Sequence, residues 1–295
     1  MSKKTIFKGI ATALVTPMTE QGIDYENFAK LVEFQISSGI DALVVCGTTG
    51  EASTLTDEEH RDAIAFVVKQ TAGRVPVIAG TGSNDTAYAI ELSTHAKEAG
   101  ADALLLVTPY YNKATQKGLV RMFTEITDAV DLPAILYNVP SRTGCNMLPK
   151  TYRELAENPR IVAVKEAGGN ISAVAETINL CGDMLDVYSG NDDQIVPIMS
   201  LGGIGGISVL SNLMPYETAK MARLYLEGKV KESAAMQIDF IPLINALFCE
   251  VNPIPAKAAM AKMGYCGSYL RSPLTEMEDV NKEKLFALMK GHKLI

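Results

Sequence analysis

The stretch RIVAVKEAGG, residues 160–169, runs through Ile161, Val162, Ala163 and Val164 without a polar break and then meets Lys165. A short, largely β-branched apolar run of this kind reads as a strand buried on both faces, the pattern of a parallel sheet. Similar runs recur along the chain: GIATALVTP from Gly9, DALVVCG from Asp41, VPVIAG from Val75, DALLLVTP from Asp102, PAILYNVP from Pro133, LDVYSG from Leu185 and GGISVLSN from Gly205. With IVAVKEA they make eight strand candidates. Between most of them lie segments of helical periodicity with capping residues, at 24–38, 56–71, 84–99, 116–130 and 171–181. Strand and helix alternate strictly, which implies a parallel sheet, and eight such units close a (β/α)8 barrel. The echo between IDALVV at 40–45 and ADALLL at 101–106, each preceded by a helix ending in glycine, fits one reused unit. The expected fold is therefore α/β, a TIM barrel over residues 1–225. A small C-terminal helical extension over 226–295 follows, because the chain stays helical after about Met214.

The 295 residues, 47% hydrophobic, suffice for a large core. A formal net charge of -7 without any long basic run argues against nucleic acid or an anionic membrane as partner and leaves a small molecule as the expected one. The cysteines, Cys46, Cys145, Cys181, Cys249 and Cys266, are odd in number and widely spaced, so neither a disulfide framework nor a zinc site is expected. The start, MSKKTIFKGIATALVTP, is interrupted at Lys8 and Gly9 before any useful signal-peptide core, and the reading is of a cytoplasmic protein.

Barrel chemistry sits at the C-terminal ends of the strands. That rule collects Thr48, Thr49 and Glu51 after the second strand, Tyr110 and Tyr111 after the fourth, Tyr137 and Arg142 after the fifth, Lys165 at the sixth, Gly190 after the seventh, and Ile207 and Ser208 at the eighth. The histidines, His60, His95 and His292, fall within or after helical segments and show no metal-binding spacing, so no metal is expected. Asp192 and Asp193 open a helix, where the dipole favours carboxylates. GGIGGI at 202–207 leads into a strand and lacks the Lys-Ser/Thr of a nucleotide loop, so its glycines read as turn or barrel-packing residues. Lys165 has two readings, a structural ion pair with Glu166 or another acid, or a nucleophile. Desolvation favours a neutral amine, which can attack a carbonyl to form a Schiff base. Tyr137 on the adjacent strand is either packing or the proton shuttle such an enzyme needs, and the amides and hydroxyls of GTTG can hold a substrate carboxylate.

Taken together, GTTGEASTL, TPYYNKATQKG, YNVPSRTG, VAVKEAGG, YSGND and NPIPAKAAM, in this order and at these separations, closely resemble the dihydrodipicolinate synthase family, the 4-hydroxy-tetrahydrodipicolinate synthases of bacterial lysine biosynthesis. The resemblance implies that Lys165 forms an imine with pyruvate and that the derived enamine attacks the aldehyde of L-aspartate 4-semialdehyde. It gives the proton relay to Tyr137, Thr49 and Tyr111, the pyruvate carboxylate to the amides of Thr48 and Thr49, and pocket-lining backbone carbonyls to Gly190 and Ile207. No cofactor is required. Tyr111 would enter the site of a neighbouring subunit, which implies a homo-oligomer, a dimer at least and commonly a homotetramer. Arg142, otherwise a surface salt-bridge residue, would pair with the carboxylate of the acceptor aldehyde. Sialic acid lyases and related sugar-acid aldolases share the lysine and tyrosine but lack that arginine and use GSTGE. They and a catalytically silent oxo-acid binding protein are the alternatives.

Many relatives are inhibited by L-lysine at an interface site. His60, Asn84 and Tyr110 match its pattern. Asp57 and Tyr88 replace the histidine and glutamate of inhibited relatives, and Asp57 also looks like the capping residue of the helix that begins there. Weak or absent lysine inhibition is expected.

Overall fold

A computed structural model describes residue 3 and residues 5–295. Eight strands, β1 (Gly9–Ala13), β2 (Ala42–Val45), β3 (Val77–Gly80), β4 (Ala103–Val107), β5 (Ala134–Asn138), β6 (Ile161–Glu166), β7 (Asp186–Ser189) and β8 (Gly205–Ser208), form a closed barrel. Each pairs in parallel with the next, and β8 returns to β1 with Ala11 opposite Ile207. The TIM barrel read from the sequence is the observed architecture.

Alternation along the strands sorts side chains into two cores. Ala11, Ala13, Val44, Ile78, Leu105, Ile135, Ala163 and Ile207 fill the barrel interior. Ile10, Leu43, Leu104, Leu136, Val164 and Val187 face the surrounding helices. Phe7 stacks on Tyr188 at a centroid distance of 4.2 Å, and the Tyr188 hydroxyl donates to the Phe7 carbonyl at 2.6 Å. Because Phe7 precedes β1, this stack closes the N-terminal end of the barrel and leaves the other end for chemistry.

The helices are α1 (Tyr25–Ser37), α2 (Asp57–Thr71), α3 (Thr86–Glu98), α4 (Gln116–Ala129), α5 (Pro140–Thr143), α6 (Pro149–Leu155), α7 (Ile171–Cys181), α8 (Ile195–Ser200), α9 (Pro215–Leu226), α10 (Val230–Leu247), α11 (Ile254–Lys262) and α12 (Asp279–Gly291). Asp24, Thr56, Asp85, Thr115 and Asn170 cap α1, α2, α3, α4 and α7 by accepting from first-turn amides. Two sequence readings are corrected here. The third helix begins after Asp85, and Asn84 lies in the loop, donating to the Tyr110 carbonyl at 3.1 Å. The cap of α2 is Thr56, in a capping box with Glu59, so Asp57 is not the capping residue.

The glycines of GGIGGI act in packing. Gly205, at φ +152°, lies so close to Gly9 that a Cβ would overlap the Gly9 backbone, and this contact seals the β8–β1 seam. Among the described residues no helix is long and apolar enough to cross a membrane.

Candidate active site

Strand alternation decides where Lys165 points. The register between β5 and β6 shifts between Ala134 and Ile135, so that Ile161 and Ala163 face consecutive residues and Val162 is the extra one. Beyond this bulge Tyr137 stands opposite Lys165 and Asn138 opposite Glu166. Ala163 and Tyr137 belong to the barrel interior, and Lys165 shares their phase. Its ammonium lies 4.2 Å from the centroid of the Tyr137 ring, and both residues are buried.

Glu166 points the other way. Its carboxylate accepts from the Tyr152 hydroxyl at 2.7 Å, the Gly168 amide at 2.6 Å and the Asn138 side chain at 3.1 Å. Burial raises the Glu166 pKa against the lowering effect of these donors, and burial together with the neighbouring carboxylate raises that of Tyr152. An ion pair between Lys165 and Glu166, named in the first of the two sequence readings, is therefore ruled out by the direction of the side chains.

Gly190 follows β7 beside the lysine. A Cβ there would meet the Ala167 Cβ at 2.8 Å and the Lys165 Cε at 3.1 Å, so the glycine makes room for the lysine stem. Ile207 is buried on the interior face of β8. Asp192 differs from its sequence reading. Its side chain does not cap its own turn but crosses to the loop after β8, where Oδ2 accepts from the amides of Val209 at 3.0 Å and Leu210 at 2.9 Å. Burial raises its pKa against the lowering effect of its hydrogen-bond donors and of the Lys165 charge.

The loop after β2 makes a tight 3-10 turn over Thr48–Gly50 and passes into left-handed backbone at Glu51, φ 56°. Thr48 is exposed and lines a cleft of about 540 Å³ that also reaches Gly47, Tyr137 and Arg142. Thr49 is turned away from solvent, and its hydroxyl accepts from the Asn252 side chain at 3.0 Å. The exposed Arg142, on α5, donates to the Asn252 carbonyl at 3.3 Å. The far end of the same cleft is lined by His60, Ser83, Tyr88 and Tyr110. There the Nε2 of His60 bonds the Gly80 carbonyl at 2.9 Å, and burial lowers the His60 pKa. The Tyr88 hydroxyl donates to Asp57 at 2.5 Å, a bond that pushes the phenol up to about 12. Tyr111 joins neither end. It stands on left-handed backbone, φ 68°, and is 92% exposed.

Three contributors escaped the sequence reading because their partners lie some 200 residues away. Asn252 reaches Thr49; Lys257 forms a fully buried ion pair with Glu51 at 2.5 Å; Arg271 donates its amide to the same carboxylate at 3.2 Å. NPIPAK marked two of them as part of a motif, but nothing local to it points to the GTTGE loop.

The Dihydrodipicolinate synthetase family model matches residues 6–292. A 4-hydroxy-tetrahydrodipicolinate synthase of Lachnoclostridium phytofermentans is 56% identical over 292 residues, 98% of this chain and 99% of that one. The structure of dihydrodipicolinate synthase from Aquifex aeolicus superposes with TM-score 0.96 at 45% identity, covering 98% of this chain and 99% of that one. A monomeric dihydrodipicolinate synthase variant also matches, with TM-score 0.96 at 38% identity over 98% of each chain, so assembly state varies among the relatives. A barrel whose interior lysine lies against a tyrosine, matched end to end by these proteins, belongs to the dihydrodipicolinate synthetase family.

Proposed function

We infer that this chain is a 4-hydroxy-tetrahydrodipicolinate synthase, a Schiff-base lyase of diaminopimelate and lysine biosynthesis that condenses pyruvate with L-aspartate 4-semialdehyde. The observation that carries the reading is the Tyr137–Lys165 pair, register partners at the open end of the barrel with the amine against the ring. Lys165 Nζ attacks C2 of pyruvate, and loss of water leaves a protonated imine. That cation is the electron sink for removal of a methyl proton. The resulting enamine carbon forms a bond to the aldehyde carbon of the semialdehyde, whose oxygen takes up a proton. The substrate's own amine then displaces Lys165 from C2, closing the ring and freeing the enzyme.

Tyr137 carries the protons in both directions. The relay hydroxyl that the sequence reading gave to Thr49 is assigned here to Thr48, because Thr48 lines the cleft with Tyr137 whereas the Thr49 hydroxyl is engaged by Asn252. Thr48 and Thr49 together hold the pyruvate carboxylate. Gly190 and Ile207 line the pocket. Arg142 keeps most of its five donors free for the carboxylate of the second substrate. Tyr111, exposed and held away from its own cleft, completes the relay of a neighbouring subunit, and the working unit is a dimer or a tetramer built from it. The five free thiols accord with a reducing compartment, and the enzyme is assigned to the cytoplasm.

The test is borohydride reduction with pyruvate followed by peptide mapping. The expected result is a pyruvate-derived adduct on Lys165 that L-aspartate 4-semialdehyde depletes. An adduct indifferent to the semialdehyde would mean a sugar-acid aldolase, and no adduct a silent binding protein.

A further inference from the structure

We propose that Asn138 and Glu166, register partners on the outer face of the barrel and outside the catalytic set, are positioning residues whose side-chain hydrogen bond holds the Tyr137 ring against the Lys165 amine. The inference rests on the functional reading above and deepens it by naming the groups that keep the proton carrier at the nucleophile.

The ladder between β5 and β6 is broken by the shift between Ala134 and Ile135, and past it the pairs run only from Ile135 opposite Ala163 to Asn138 opposite Glu166. Both strands end there, so Tyr137 and Lys165 stand one step from the end of their ladder. A slip of one residue at this step would turn their side chains out of the barrel. On the outer face the Asn138 Nδ2 donates to both Glu166 carboxylate oxygens, at 3.1 and 3.2 Å. Neighbours along a strand point to opposite faces, so a bond that fixes this outer step also fixes the inward step before it. Packing alone does not call for a polar pair here, because the other outer-face step past the shift, Leu136 opposite Val164, is apolar. Each partner is also anchored elsewhere. The Asn138 Oδ1 accepts from the Met147 amide at 3.0 Å, and its Nδ2 donates to the Asn146 Oδ1 at 2.9 Å, both in the segment between α5 and α6. Glu166 takes the Tyr152 hydroxyl of α6 and the Gly168 amide, and a Cβ at Gly168 would lie 2.7 Å from its Oε1. The bond is therefore directional and held from both ends, which apolar contact at the same step would not be.

The experiment follows exchange of the pyruvate methyl hydrogens with D2O by NMR, which reads imine formation and proton transfer without the second substrate. Beside it stands the pyruvate concentration that half-saturates borohydride trapping at Lys165. Glu166→Gln keeps the side-chain shape but sets a second amide nitrogen against that of Asn138. It should slow exchange by about ten- to a hundredfold, part of what a positioned acid–base group contributes, while half-saturating pyruvate moves by less than about threefold. Asn138→Asp added to Glu166→Gln restores the bond with its polarity reversed and should recover most of the lost rate, since the exposed Asn146 can turn its amide to match. In a Tyr137→Phe background Glu166→Gln should cost less than about twofold, because its effect runs through the tyrosine. Asn138→Ala deletes the donor and serves, with the same loss expected, if the glutamine variant fails to fold. Exchange at the wild-type rate beside a lowered Tm would reduce the pair to a structural tie and overturn the proposal, as would full additivity with Tyr137→Phe or no recovery in the double variant. If the wild-type protein neither exchanges nor traps pyruvate, the functional reading falls; if it does both and the variants exchange normally, only this inference falls.

Discussion

Lys165 sits at the end of an apolar strand, and two substitutions separate the two substrates that the site is proposed to bring together. Lys165→Ala removes the amine but no strand hydrogen bond, since the ladder uses backbone groups. Turnover and the borohydride adduct should both vanish while the far-ultraviolet circular dichroism stays that of the wild type. Arg142→Ala removes the guanidinium at the cleft mouth, and its one hydrogen bond among the described residues is to a backbone carbonyl. The KM for the semialdehyde should rise by at least about tenfold, the loss of a charge-assisted pair, while pyruvate still labels Lys165. Equal damage to both substrates would argue that Arg142 shapes the cleft and does not read the acceptor. At this scale the sequence was informative about which residues meet and less so about which way they turn. Lys165 and Tyr137 were legible because strand ends are fixed by the barrel. Thr48 and Thr49 exchanged places because a 3-10 turn followed by left-handed backbone at Glu51 decides which hydroxyl faces the cleft, and no spacing rule encodes that turn.

At the scale of elements, α2 and α3 bring together Asp57 and Tyr88, the two positions at which this chain departs from the pattern expected of lysine-inhibited relatives. Asp57, released from any capping duty by Thr56, accepts the Tyr88 hydroxyl across the two helices. The relatives' glutamate would offer a full negative charge to a ligand ammonium; here a phenol held neutral up to about 12 occupies that place and engages the nearby carboxylate. A desolvated charge pair contributes a few kcal/mol to binding, and its absence here predicts that L-lysine inhibits the purified enzyme only far above the micromolar range. A micromolar inhibition constant in a steady-state assay would show that Asp57 alone supplies the missing charge. The helices α1, α2, α3, α4 and α7 were legible because each repeats an apolar face over several turns and begins at a side chain that caps it. The short helices α5 and α6 were not, because Pro140–Thr143 and Pro149–Leu155 span too few turns for periodicity to register. The bulge at Val162 that aligns Lys165 with Tyr137 is likewise invisible in an unbroken apolar run.

On the scale of the whole molecule, the helical extension works as a clamp on the barrel's open end, and its charged contacts give the clamp a pH dependence. Lys257 and Glu51 are both withdrawn from water, so either alone would be an uncompensated buried charge, costing about 3–5 kcal/mol if its partner were removed. The Arg271 guanidinium contacts both oxygens of Glu59 at 2.5 Å and the Thr54 carbonyl at 2.7 Å. These ties span more than 200 residues of sequence, and for that reason the extension could be read as helical but not as part of the site. Arg271 lowers the Glu59 pKa from 4.5 to about 2. A carboxyl whose pKa is depressed by folding binds fewer protons in the folded than in the unfolded state, so its stabilisation is complete above 4.5 and is lost as pH falls through about 2. Glu59→Gln keeps the capping box with Thr56 but loses the charge. The variant should therefore be less stable than the wild type by about 1 kcal/mol at neutral pH, the scale of a partly exposed bidentate pair. In urea titrations that gap should narrow as pH falls below 4.5 and close near 2. A gap constant across this range would mean that Glu59 acts through shape and capping alone, and that the clamp carries no charge dependence at this contact.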